Sequence, residues 1–306
     1  MVQFIVRRVL QSIPMLWMVV TLTFFVVHLL PGDPATLVLV QSGASSEAIA
    51  ERRAMLGWDR PLLVQYGDYL TRVLRGDLGR SWISGDSVAR LLAEQWPATF
   101  RLAIVAMVIA MSVGVSLGLV GALRRGTWLD RLSMSLALLG LSMPVAWSGL
   151  LVIWLLSLIP LPQAGGGPWP PSALLLPAMV LGMASTGPIA RLTRHGVIEV
   201  LAQPYIMAAT AKGLSRWYVL IRHAAPIALP PVLTMAALQF GFLLGGVAIT
   251  EAMFARQGIG RLAVQAVMSH DLPVIQGIVL LAAALYTGAT LCADVAQWLM
   301  DPRSRR

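Results

Sequence analysis

The chain alternates between long apolar runs and short charged intervals punctuated by glycine and proline. A run of about 20 apolar residues is enough to cross about 30 Å of hydrocarbon. Six stretches meet that length: 9–30, 98–123, 132–159, 173–189, 229–250 and 273–300. The pattern predicts an all-α membrane protein with six transmembrane helices. The first run follows Arg7 and Arg8, as the apolar part of a signal peptide would. It is too long for that role and no small-residue cleavage site follows, so it reads as an uncleaved first helix. Pro144, inside the third run, removes a backbone hydrogen bond and predicts a kink there.

Composition agrees with this pattern. A mean hydropathy of +0.75, with 57% hydrophobic and 12% charged residues, excludes a water-soluble core. The net charge of +9 is scattered between apolar runs, so no basic face for nucleic acid is expected. A single cysteine, Cys292, excludes an internal disulfide and reads as a buried, inert thiol.

The charges also orient the spans. The terminal segments and the intervals after the second and fourth runs carry thirteen Arg and Lys against three acids, Asp130, Glu199 and Asp301. The segment 31–97 on the opposite side has seven Arg against eight acids. Positive charge is retained on the cytoplasmic side, which places both termini in the cytoplasm. The chain then divides into an N-terminal segment with the first span at 1–30 and an extracytoplasmic subdomain at 31–97. A core of five spans follows at 98–300, with a cytoplasmic loop at 190–228, and 301–306 forms a cytoplasmic tail. Within 31–97, Pro31, Gly32 and Pro34 stop the first helix, Ser45 caps a short helix through Leu56, and Pro61 opens a second, amphipathic one. There is no low-complexity stretch and no internal repeat.

The cytoplasmic stretch 205–226, YIMAATAKGLSRWYVLIRHAAP, is the polar interval with the most structure written into it. Pro204 suits a first helical turn, because its missing N–H would be unpaired there. Ala208, Ala209 and Ala211 favour helix, and Lys212 suits the negative end of the dipole. Gly213 can close the helix in the left-handed conformation and Ser215 can cap the next one. The expectation is a short helix presenting small residues across the cytoplasmic face. On these residues alone, an ordinary interfacial helix and a helix that docks a partner protein both fit.

This segment resembles the coupling loop of ABC importer permeases, Glu-Ala-Ala-x3-Gly-x9-Ile-x-Leu-Pro. Met207, Ala208, Ala209, Gly213, His223, Ala225 and Pro226 fall on that pattern, with Met207 in place of the acid and His223 in place of the isoleucine. ATAKGLSRWYVLIRHA is closer still to the dipeptide/oligopeptide/nickel subfamily. The resemblance continues through FIVRRVLQSIP, HLLPGDPA, LGWDRPLLVQY, RGDLGRSW, LRRGTWLDRL, GLSMPVAW, ARLTRHGVIEVL, LQFGFLLGGVAITEAMF and DLPVIQGIVLL in the same order. The chain departs from the subfamily at Pro204-Tyr205, at Pro226-Ile227 and at Arg256-Gln257-Gly258.

The resemblance implies a type I ABC importer permease of the cytoplasmic (inner) membrane of a prokaryote. It implies a heterodimeric pore with a sister permease, two ATP-binding subunits and an extracytoplasmic substrate-binding protein, with peptides or nickel and metal chelates as cargo. The coupling contacts would come from Tyr205, Ala208, Ala209, Ala211, Lys212, Gly213, Leu214 and Ser215. The chain has no GxxxxGK[ST] phosphate loop, so ATP and its magnesium belong on the partner subunits. No cofactor, metal or catalytic residue is expected in this chain. In the family the fifth span borders the path, which makes Gln239 and Thr250 candidate pore groups. Glu251 at its outer end is a candidate gate or a plain loop residue, and Pro144 a kink that shapes the pore.

Two rival classes draw on other residues. Gly114-x-Ser116-x-Gly118 has the form of a hydrolase nucleophile elbow, but it lies inside an apolar helix rather than at a strand-to-helix turn. Glycines four apart there predict close helix packing instead, and no base accompanies the serine, so an intramembrane enzyme is not expected. A self-sufficient channel or secondary transporter would leave the 205–226 segment unexplained. The four histidines form no metal motif, with His28 and His270 predicted at the outer face and His195 and His223 at the inner. Asp294 on the sixth span is expected to pair with a cytoplasmic-side arginine.

Overall fold

A computed structural model of the chain describes residues 2–29, 45, 47, 51, 59–158 and 172–300. The expected helix from Ser45 to Leu56, the outer loop 160–171 and the tail 301–306 lie outside these described residues. Among the described residues the α-helices run in order α1 Val2–Leu29, α2 Leu62–Leu74, α3 Val88–Leu123, α4 Trp128–Ser142 and α5 Val145–Ser157, then α6 Ser172–Leu201, α7 Pro204–Ala211, α8 Arg216–Val219, α9 Ala225–Met253, α10 Ile259–Met268 and α11 Leu272–Met300. Five helices among the described residues are long and apolar enough to cross a membrane, or six if α4 and α5 count as one broken span. With the broken span counted, that is the number read from the hydropathy pattern.

The third span is broken rather than kinked. Its two helices meet at 101°. Met143 has φ −89° and ψ 126°, the extended backbone that a following proline imposes, and its N–H still closes the last turn on the Leu139 carbonyl. The Pro144 carbonyl then starts α5 by accepting from Trp147 N at 2.9 Å and Ser148 N at 3.1 Å. A kink needs one lost hydrogen bond. Here the residue before the proline also leaves the helical region, so the chain turns a corner.

The chain folds as two compact units, 1–98 with 257–287 and 99–256 with 288–306. In the second, α6 packs along α4 and α9. Glycines set how closely it meets its neighbours. A Cβ at Gly118 on α3 would lie 2.6 Å from the Ala190 carbonyl oxygen, and one at Gly114 would lie 2.7 Å from Ile189 Cγ2. A Cβ at Gly187 on α6 would lie 2.9 Å from the Ala137 carbonyl oxygen of α4. Gly114 and Gly118 therefore act as the close-packing pair that their spacing predicts. Ser116 between them is exposed on the other face. The buried residues Leu102, Ala106, Ala178, Leu181, Leu243 and Val247 complete this core.

In the first unit α2 lies beside α1. The Tyr66 and Tyr69 hydroxyls hydrogen-bond the Thr21 and Thr23 hydroxyls at 2.8 and 3.3 Å, and Gln65 Oε1 lies 2.9 Å from His28 Nε2. Gln276 Nε2 on α11 donates to the Thr23 carbonyl at 3.3 Å. Val88, Leu92, Ala266 and Val274 form the buried centre. The turn before α3 is held by Asp271. Its carboxylate accepts from Ser81 Oγ at 2.5 Å and from Trp82 N at 3.1 Å, and Ser81 Oγ in turn accepts from the N–H groups of Ile83 and Ser84.

Candidate coupling site

The polar stretch after α6 folds as its residues demand. Ala202 and Gln203 make the turn, and Pro204 occupies the first turn of α7, where no N–H is required. Lys212 is the C-cap, its N–H returning to the Ala208 carbonyl at 3.2 Å. Gly213 follows at φ +83°, the left-handed stop read from the sequence. Ser215 then caps α8, its side chain accepting from Tyr218 N at 3.3 Å. A π-helical turn, Leu220–Ala224, leads directly into α9. From Arg216 to Met253 the chain is thus one continuous run of helix.

One side chain anchors the short helix. Ile206 is 4% exposed and packs in a buried cluster with Ala122, Val197, Val200, Val219, Leu220, Ala224 and Ala228. The other candidate contact residues face outward. Tyr205, Ala208, Ala211, Lys212, Gly213, Leu214 and Ser215 are exposed, and Ala209 is half-buried against the cluster. Met207, Trp217, Tyr218 and Ile221 join them as exposed large side chains. The result is a small-residue ridge around Ala208 and Ala211 flanked by apolar and aromatic side chains.

A clasp beside this site was not anticipated. The Arg194 guanidinium on α6 grips Asp130 at the start of α4 with two bonds, Nε to Oδ1 at 2.7 Å and an Nη to Oδ2 at 2.8 Å. Asp130 Oδ2 also accepts from Gly126 N at 3.0 Å. Asp130 is buried, while the Arg194 side chain is 30% exposed. Paired, hydrogen-bonded geometry of this kind is what makes a desolvated carboxylate tolerable. It joins the loop after α3, the start of α4 and the end of α6 just before the coupling turn. The signal in the sequence was Asp130 itself, a lone acid among Arg124, Arg125 and Arg131. Asp130→Ala should lower the thermal midpoint of the purified protein by several degrees, because it leaves a part-buried guanidinium unpaired. Adding Arg194→Ala should recover part of the loss. Strictly additive losses in the two single variants would show that the pair is not coupled.

The other candidates lie elsewhere. Gln239 is half-buried on α9, and Pro144 is exposed at the corner between α4 and α5. Thr250 and Glu251 are 1% and 0% exposed. Glu251 Oε1 accepts from Thr99 Oγ1 at 2.7 Å, and the Glu251 carbonyl accepts from Arg256 N at 2.8 Å. Burial lowers the Arg256 pKa, and the neighbouring Glu251 carboxylate opposes that shift. Together these contacts bind the turn that leaves α9. Cys292, expected to be buried, is exposed on α11. Among the described residues, no cluster of three or more His, Cys, Asp or Glu residues stands in metal-binding reach.

Known proteins resemble this chain along its whole length. The family described as "Binding-protein-dependent transport system inner membrane component" matches residues 114–306. Its N-terminal counterpart, "Binding-prot-dependent transport system membrane comp, N-term", matches residues 1–103. A protein of Brucella abortus (strain 2308), whose name is that of a peptide transport system permease, is 41% identical over 313 residues, covering 100% of this chain and 99% of that protein. The glutathione transport system permease protein GsiC of Salmonella typhimurium is 40% identical over 307 residues, with the same coverage. Among solved structures, a chain of the inward-facing methionine ABC transporter MetNI superposes with a TM-score of 0.59 at 19% identity, covering 69% of this chain and 96% of that one. That last likeness is one of fold alone. The chain belongs to the binding-protein-dependent transport system inner membrane components, the permease subunits of ABC importers, and has their type I fold.

Proposed function

We propose that this permease carries peptides across the membrane through a pore shared with a sister permease, driven by ATPase subunits that grip its cytoplasmic turn. As a binding-protein-dependent permease it works beside ATPase and substrate-binding partners in a membrane. The peptide class is supported by relatives named for peptide and for glutathione transport, each matched over the whole chain. Glutathione is itself a small peptide, so both names describe one kind of cargo. Nickel chelates are the alternative cargo class.

The observation that carries the coupling role is the outward ridge of Tyr205, Ala208, Ala211, Lys212, Gly213, Leu214 and Ser215, with Ala209 at its base. It is pinned by Ile206 and leads through α8 directly into α9. ATPase closure would move this ridge and, through α8 and α9, tilt the fifth span. That is a rigid-body route to alternating access. Gln239 would then border the path, Pro144 would shape it at the α4–α5 corner, and Thr250 and Glu251 would hold the outer turn from inside the fold.

Reconstitution tests the reading. The permease pair with its ATPases and binding protein, in proteoliposomes, should accumulate labelled di- or tripeptides in an ATP-dependent manner. Unlabelled glutathione should compete and nickel salts should not. ATP-independent uptake by this chain alone would overturn the coupling role, and uptake of nickel without peptide competition would overturn the cargo class.

A further inference from the structure

The turn from α10 into α11 is held in a backbone conformation that its own residues disfavour. α10 ends in the paired bonds of a glycine stop, with His270 N donating to the Val267 carbonyl at 3.2 Å and Asp271 N to the Ala266 carbonyl at 2.8 Å. Glycine is the usual residue at the left-handed position of such a stop. Here that position is filled by His270, at φ +56°. Among the described residues only one other non-glycine residue, Ala255, has a positive φ. A side chain in that region persists only where its surroundings over-determine it, and such positions cluster at switches.

The residue after His270 supplies the restraint. The Asp271 carboxylate is buried and uses both oxygens, Oδ2 accepting from Ser81 Oγ at 2.5 Å and Oδ1 from Trp82 N at 3.1 Å. Ser81 Oγ is fully used as well, because it also accepts from Ile83 N at 3.2 Å and Ser84 N at 3.0 Å. These bonds tie the end of α10 to the turn before α3. Beside them Ala266 of α10 packs with Val88 and Leu92 of α3 and Val274 of α11.

We propose that Asp271, Ser81 and Trp82 form a latch that shuts α10 onto the start of α3, and that the strained backbone at His270 works to release it. Resting on the transport reading above, this latch opens once per cycle, when the outer face opens. Ser81 and Trp82 belong to segment 31–97, read from its charge balance as extracytoplasmic. A half-open turn would leave a buried carboxylate short of partners, which is costly. The turn is therefore bistable. It is either bonded, with His270 strained, or open, with Asp271 in water and His270 relaxed.

The test uses the assembled transporter in nanodiscs, with Cys292→Ser so that Ala266→Cys is the one thiol of this chain. Position 266 is buried while the latch is shut. In the resting complex its thiol should react slowly with a water-soluble maleimide, as read by peptide mapping. With ATP and peptide-loaded binding protein it should react several-fold faster. Ser81→Ala removes the hydroxyl that Asp271 holds and should speed the resting reaction several-fold. His270→Gly relieves the strain at an exposed side chain. It should raise the thermal midpoint, slow the reaction during turnover and cut peptide uptake in proteoliposomes several-fold. A plain helix stop would gain the same stability with uptake unchanged, and that outcome would overturn the latch. Equal resting rates in Ser81→Ala and its parent would overturn it too. That comparison needs no transport, so it stands even where the cargo reading fails, and His270→Gly decides the matter should Ser81→Ala not assemble.

Discussion

Gly118→Val should leave little folded permease in the membrane. The β-carbon alone would lie 2.6 Å from the Ala190 carbonyl oxygen and 2.6 Å from Thr193 Cβ. The first of these is a backbone atom, which cannot rotate away as a side-chain tip can. Gly114, one helical turn earlier, stands in the same relation to Ile189 and to the Thr186 carbonyl. The contact therefore extends over two turns, and α3 cannot tilt to relieve one clash without worsening the other. Overpacking a core usually costs about 1–3 kcal/mol, and a clash with main chain should exceed that range. Yield of monodisperse protein and its melting temperature measure the effect, with Gly118→Ala intermediate. Ser116→Val, at an exposed position between the two glycines, should leave both yield and transport unchanged. A Gly118→Val protein with wild-type yield and melting temperature would mean that α3 and α6 do not meet as described.

Gly213→Val should have the opposite signature, with uptake lost and the protein retained. A Cβ at Gly213 meets no atom within 4 Å, so the substitution creates no clash. The strain is in the backbone. At φ +83° an L-residue with a branched side chain is disfavoured by about 1–2 kcal/mol, roughly tenfold in the population of the native turn. The stop after α7 would shift, and the exposed ridge would no longer present its residues in register to an ATPase. Membrane insertion depends on the spans and should survive. Gly213→Asn should keep part of the activity, because asparagine tolerates the left-handed region. Normal ATP-driven uptake by Gly213→Val would remove the coupling role from this turn.

The two substitutions differ in how far ahead they could be read. Gly213 was legible because a helix stop is a local event, decided by the glycine, the alanines before it and the serine after it. Gly114 and Gly118 were legible as a packing face, but not the helix that they face. Pro144 announced a disturbance in the third span. Its size, a corner of 101°, depended on Met143 leaving the helical region as well. Thr250 was a pore candidate because the resemblance puts the fifth span beside the path, and Glu251 was read as a gate or a plain loop residue. The burial of both, and the bond from Thr99 to Glu251, were invisible without the tertiary partners.

The sequence by itself determined the apolar spans, the charge bias that orients them, the helix stop at Gly213 and the absence of a phosphate loop. Each follows from composition or from chemistry between near neighbours along the chain. The tertiary structure alone decided that Arg194 clasps Asp130 and that Asp271 holds the turn at Ser81. Asp271 and Ser81 stand 190 positions apart in the chain. Whether two such residues meet depends on the rotation and depth of every helix between them. Those are set by the summed packing of many side chains, which no short window of sequence contains.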